Sequence, residues 1–134
     1  MAAAAIDHLG VAVADLDEAV ELYRRLFGAE LEQRAVLPAE GLEAAMLRVG
    51  GDRIELLASS DPGTPVGRFL ERRGPGMHHL AFAVADLPGE LARLARGGAE
   101  LIDEQPRPGA FGREVAFVRP NATGGVLTEL VARA

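Results

Sequence analysis

The chain repeats itself. AVADL occupies Ala12–Leu16 and returns at Ala83–Leu87, 71 positions later, and His8 and His79 share that spacing. GAEL stands at Gly28–Leu31 and again at Gly98–Leu101, an offset of 70. IELL at Ile54–Leu57 is echoed by TELV at Thr128–Val131, an offset of 74. Four matches in one order at nearly one spacing mean two copies of a single unit, of roughly 65–70 residues each.

The pattern within each copy sets its architecture. Ile6–Val13 alternates and is rich in strand formers, so it reads as a strand. Asp15 is positioned to cap a helix in which Leu16, Ala19, Val20, Tyr23 and Phe27 give helical spacing, and Gly28 ends it. Three strands follow, near Glu30–Leu37, Leu42–Val49 and Arg53–Ala58, with Gly50–Asp52 as a tight hairpin turn. The unit is βαβββ. The second copy starts at Met77, with a helix over about Pro88–Arg96 and strands near Glu100–Asp103, Arg113–Arg119 and Val126–Ala132. The expected class is α+β, one domain over 1–134 with repeat units 6–58 and 77–132. The connector, 59–76, carries a short helix marked by Val66, Phe69 and Leu70. EQPRPGAFG and PNATGG are loops long enough to suggest a function.

Composition narrows the function. With 134 residues and 49% hydrophobic content the chain can bury an ordinary core. The net charge of −6 argues against nucleic acid, although local arginines can still hold an anion. There is no cysteine, so disulfides and thiolate metal sites are excluded. The start MAAAAIDHLG carries no charged leader pattern and no segment reaches membrane-spanning length, so a cytoplasmic protein that does not engage membranes is expected.

Alternation of strand side chains sorts the histidines. Leu9, Val11 and Val13 face the helix, which puts His8, Gly10 and Ala12 on the other side. In the second copy Leu80, Phe82 and Val84 face the helix together with His78, and His79, Ala81 and Ala83 face away. The repeat therefore pairs His8 with His79. Glu55 and Glu129 are also repeat-related, each on the opposite strand face from Ile54 and Leu56 or from Thr128 and Leu130. An isolated carboxylate in an apolar strand is costly to bury. Two histidines and two glutamates in symmetric pairs make a divalent metal constellation, of a kind suited to Zn, Co, Ni, Mn or Fe.

The paired units resemble the vicinal oxygen chelate fold. The segments IDHLGVAVADLDEAVELY, GPGMHHLAFAVADL, LIDEQPRPGAFGREVAFVRP and TGGVLTELV resemble, more specifically, the methylmalonyl-CoA epimerase family, over about Ile6 to Val131. That resemblance implies a cupped mixed sheet around a metal site whose ligands fall on His8, Glu55, His79 and Glu129. The implied ion is divalent, cobalt before nickel, manganese or zinc. The implied reaction inverts the α-carbon of a malonyl-type thioester through a metal-stabilised enolate, and it needs an acid/base on each side of that carbon. Glu129 matches one of the family's two catalytic glutamates. The other is expected three residues after the glycine matching Gly41, where this chain has Ala44. Glu43, one residue earlier, is the second candidate acid/base, and it reaches the site only through a bulge or a changed register. The alternatives are a solvent-facing Glu43 with another side chain or a water in that role. The acyl-CoA partner directs attention to Arg107 and Arg113, which flank the PGAFG loop, and to Gly109 and Gly112 within it. Relatives imply a homodimer. The competing readings are a glyoxalase I-type isomerase, an Fe(II) dioxygenase and a metal-free ligand-binding member of the superfamily.

Overall fold

The described residues of the computed structural model, 3–133, hold eight strands, three α-helices and three short 3-10 turns. Met1 and Ala2, at the start of the stretch read as lacking a leader, and Ala134 lie outside them. Two compact units divide the chain, one comprising His8–His78 and the other Met1–Asp7 with His79–Ala134.

In the first unit β1 (Ala5–Ala12) leads into α1 (Leu16–Phe27), then β2 (Glu30–Leu37), β3 (Leu42–Val49), β4 (Asp52–Ala58) and α2 (Pro65–Arg73). The strand order is β2-β3-β4-β1, with β1 and β4 parallel and the others antiparallel. Asp15 caps α1, its Oδ1 accepting from the Glu18 N–H at 2.9 Å. Gly28 closes the helix in the left-handed region, φ 67°, as glycine does without steric cost. Gly50 turns the β3–β4 hairpin at φ 61°, and Val49 pairs with Asp52 across it. One face of these strands packs on α1: Val13, Leu16, Ala19, Val20, Ala45, Leu47, Leu56 and Ala58 form the core there. The connector's helix α2 is capped by Thr64, whose Oγ1 accepts from the Gly67 N–H at 3.0 Å.

The second unit repeats the plan with β5 (Gly76–Val84), α3 (Leu87–Arg96), β6 (Arg107–Pro108), β7 (Glu114–Val118) and β8 (Thr128–Ala132). Its order is β5-β8-β7-β6, again with the first and last strands parallel. Asp86, the repeat partner of Asp15, caps α3 through the Gly89 N–H at 3.1 Å. Val84, Leu87, Leu91, Ala116, Val118 and Leu130 form its helix-side core.

The copies differ where the second was expected to hold a strand over Glu100–Asp103. Only Leu101 bridges to Val118. The Phe117 carbonyl accepts from the Ile102 and Asp103 N–H groups at 2.9 and 3.2 Å, and Asp103 Oδ2 accepts from the Phe117 N–H at 2.9 Å. A side chain thus replaces one rung of the ladder. Pro106 and Pro108 supply no N–H, and the paired segment shrinks to two residues at β6. The expected Arg113–Arg119 and Val126–Ala132 strands shorten to Glu114–Val118 and Thr128–Ala132.

Candidate metal centre

Each unit buries one histidine and one glutamate side by side. In the first, Gly10 pairs with Glu55 across the parallel β1–β4 ladder, and His8 lies two residues upstream on the same face as Gly10. His8 Nε2 stands 3.4 Å from Glu55 Oε1. In the second, Ala81 pairs with Glu129 across β5–β8, His79 again lies two residues upstream, and His79 Nε2 stands 3.3 Å from Glu129 Oε1. All four side chains are buried, at 4–7% exposure. The faces are those expected: Leu56 and Leu130 pack toward the helices, whereas Ala81, Val115 and Val131 make an apolar cluster on the side of Glu129.

The spacing within each pair can be compared with coordination chemistry. Two donors about 2.1 Å from a common ion at a tetrahedral angle stand about 3.4 Å apart, and at a right angle about 3.0 Å. Both observed distances fall in that range. The donor set is imidazole and carboxylate with no thiolate, which divalent first-row metals accept. The residues fit a metal.

Glu43 is not brought to this face. It is exposed and pairs with Ala58 in an unbroken stretch of the β3–β4 ladder. Alternation puts it with Ala45 and Leu47, on the α1 side. Ala44 and Met46 occupy the other side, opposite Leu57 and Glu55, and both are buried. The only register shift in the β2–β3 pairing lies between Leu31 and Gln33, far from Glu43. No bulge re-aims the side chain.

The loop residues divide. Arg113 is engaged internally: Nε and Nη2 donate to the Ala132 carbonyl at 3.3 and 3.1 Å, and Nη1 meets Asp7 Oδ1 at 2.8 Å. Gly109 donates its N–H to the Arg113 carbonyl at 2.8 Å, and an added Cβ would stand 2.8 Å from Val115 Cγ1. Close packing explains that glycine. Gly112 has φ 75°, and the preceding Phe111 also sits in the left-handed region at 65°. A bulky residue there is strained, by about 1–3 kcal/mol. Arg107 pairs with Val115 and so lies on the Glu129 side of the second unit. Its Nε donates to Asp103 Oδ2 at 3.1 Å, and its guanidinium lies over the Phe117 ring, 5.3 Å from the centroid.

Phe117, Asp103 and Asp7 escaped the sequence reading. Phe117 lies opposite Glu129 in the β7–β8 ladder and meets the His79 ring edge-on, centroids 5.7 Å apart. Its alternation with Val115 was the signal. His78, on the helix face, meets Phe69 of α2 edge-on at 5.1 Å, as a packing role implies.

The glyoxalase/bleomycin resistance protein/dioxygenase superfamily model matches residues 7–117. The ethylmalonyl-CoA/methylmalonyl-CoA epimerase of Cereibacter sphaeroides is 33% identical over 127 residues, covering 93% of this chain and 95% of that protein. The chain belongs to this superfamily and, within it, to the methylmalonyl-CoA epimerase family. The crystal structure of methylmalonyl-CoA epimerase from Mycobacterium tuberculosis superposes with a TM-score of 0.93 at 38% identity, covering 98% of this chain and 89% of that one. A methylmalonyl-CoA epimerase in complex with methylmalonyl-CoA and NH4+ gives 0.94 at 35% identity, with 99% and 96% covered. The α+β vicinal oxygen chelate architecture that the resemblance implied is therefore the architecture of this epimerase family. Among the described residues, no helix is long and apolar enough to cross a membrane.

Proposed function

We propose that the protein is a metal-dependent epimerase that interconverts the (2R) and (2S) forms of methylmalonyl-CoA. One observation carries this reading: a buried His–Glu pair occurs in each unit with the same register and nearly the same spacing, in a chain of the epimerase family. By the family resemblance, His8, Glu55, His79 and Glu129 would be the ligand set for one divalent ion, with cobalt the first choice and nickel, manganese or zinc next. The chain works as one domain, and the reading carries with it a cytoplasmic homodimer with no nucleic-acid or membrane partner.

When bound, the ion supplies a Lewis acid for the thioester and carboxylate oxygens of the substrate, which makes the C2 proton acidic. The rest falls to the chain. His8 and His79 bind through neutral imidazole nitrogens, and Glu55 adds a charge that offsets the cation. Glu129 serves as ligand and as base, taking the C2 proton on its carboxylate. Glu129 is buried, two residues before Val131 of an apolar cluster. Inversion requires a second group to return a proton on the other face, and Glu43 sits on the wrong face of β3 for that task. The acyl-CoA is received at the loop of Phe111 and Gly112, where strain of the kind stored at ligand clamps occurs.

The test is a coupled assay in which only one epimer is consumed by the second enzyme. Supplied with the other epimer, the protein with cobalt drives consumption to completion. Absence of turnover with each of the four metals would reject the reading.

A further inference from the structure

The two repeat units are not equivalent around their His–Glu pairs. The ladders match them residue for residue. Glu55 lies opposite Met46, and Glu129 lies opposite Phe117. Leu57, Ala44 and Ala35 form one row, and its counterpart is Val131, Val115 and Arg107. Where the first unit has methionine and alanine, the second therefore has an aromatic ring and a cation, and these touch.

Their contacts form a chain that ends on a ligand-type histidine. Asp103 Oδ2 accepts two hydrogen bonds, from the Phe117 backbone N–H at 2.9 Å and from Arg107 Nε at 3.1 Å. One carboxylate oxygen so fixes both the strand position of Phe117 and the guanidinium over its ring. The ring presents itself edge-on to His79, with planes at 86°. An imidazole can turn about its terminal torsion, which is broad and roughly two-fold. A ring held against it removes that freedom.

We propose that Arg107 is a positioning residue: with Asp103 it braces Phe117 against His79 and so fixes the imidazole plane of the second His–Glu pair. The first pair has no such brace at the equivalent positions, which hold Met46 and Ala35. The inference rests on the reading of His79 as a ligand, in that the brace matters to function through the ion. Hydrogen-bonding partners that orient a ligating imidazole are worth about 10–100-fold in metal affinity, and a ring braced against the imidazole acts on the same orientation. The guanidinium contributes here by stacking and by its bond to Asp103, both of which need its planar, multiply donating shape.

The test compares wild type with Arg107→Met, which keeps an apolar stem on the Phe117 ring, and with Phe117→Leu, which removes the ring. Proton resonances of the His79 ring are read in the metal-free protein, where the Phe117 ring current displaces them. Affinity for cobalt is then measured by titration, and KM for the acyl-CoA by assay. The brace predicts that both variants shift or broaden the His79 resonances and leave those of His8 in place, weaken cobalt binding about tenfold or more, and leave KM within twofold. Unchanged His79 resonances in Arg107→Met would overturn it. So would a KM raised tenfold at unchanged cobalt affinity, which would make Arg107 a substrate-anion contact. If wild type binds no cobalt, the metal reading fails on its own, and the resonances of the metal-free protein still decide the brace.

Discussion

His79 meets Glu129 from two residues upstream of that glutamate's strand partner, Ala81, and brings Nε2 to within 3.3 Å of Oε1. His8 and Glu55 reproduce the arrangement. Both donors of each pair sit in regular strands, whose backbone is held by ladder hydrogen bonds and a packed core. Side chains mounted on strands this way are held in place by the scaffold, as sites built on rigid elements require.

Glu129→Gln keeps the shape of the side chain and removes its basicity. Turnover is expected to fall by at least about a hundredfold, the lower end for general acid/base groups, while thermal unfolding stays close to wild type. Near-normal exchange of the substrate C2 proton in this variant would remove Glu129 from the chemistry.

Glu43→Gln is expected to change kcat by less than about twofold, because the side chain is exposed on the α1 side of β3. Steady-state kinetics checks this. A loss above about a hundredfold, the general acid/base scale, would mean that the strand face was misassigned.

Arg113→Met removes a guanidinium bound to the Ala132 carbonyl and to Asp7. A stability loss of about 1–3 kcal/mol is expected from the lost bonds to the Ala132 carbonyl and to the largely buried Asp7. Denaturant unfolding reads it as a lower midpoint. KM for the acyl-CoA should hold within twofold. A tenfold rise in KM at unchanged stability would place Arg113 on the substrate instead.

Gly109→Ala forces a Cβ to within 2.8 Å of Val115 Cγ1 and 3.2 Å of the Arg113 carbonyl. Overpacking of this kind costs about 1–3 kcal/mol. Gly51→Ala, in the β3–β4 turn with nothing within 4 Å, should stay within about 0.5 kcal/mol. Equal effects of the two substitutions would contradict the packing account of Gly109.

The first unit could be read almost to the residue, because its signals are local. Asp15, Gly28 and the Gly50–Gly51 turn mark boundaries by their own backbone chemistry, and strict alternation assigns Glu55 and Glu43 to opposite faces. The repeat then carried the same assignment to His79 and Glu129, and it separated His79 from His78. What the sequence concealed depends on contacts between distant positions. Asp103 replaces a ladder rung with its side chain, so a segment of strand-like composition does not form a strand. Arg113 and Gly109 flank or occupy a loop of ligand-binding appearance, yet their partners are Ala132, Asp7 and Val115. Phe117 reads as one more apolar strand residue until its ring is seen against His79.

The most direct test is solvent deuterium incorporation at C2 of (2S)-methylmalonyl-CoA, with added cobalt and with a chelator, after subtraction of the uncatalysed exchange. The account predicts incorporation with cobalt, formation of the (2R) epimer alongside it, and loss of both when the chelator is present. Exchange that persists undiminished under chelation would contradict a metal held by His8, Glu55, His79 and Glu129. No exchange with any divalent metal would contradict the epimerase itself.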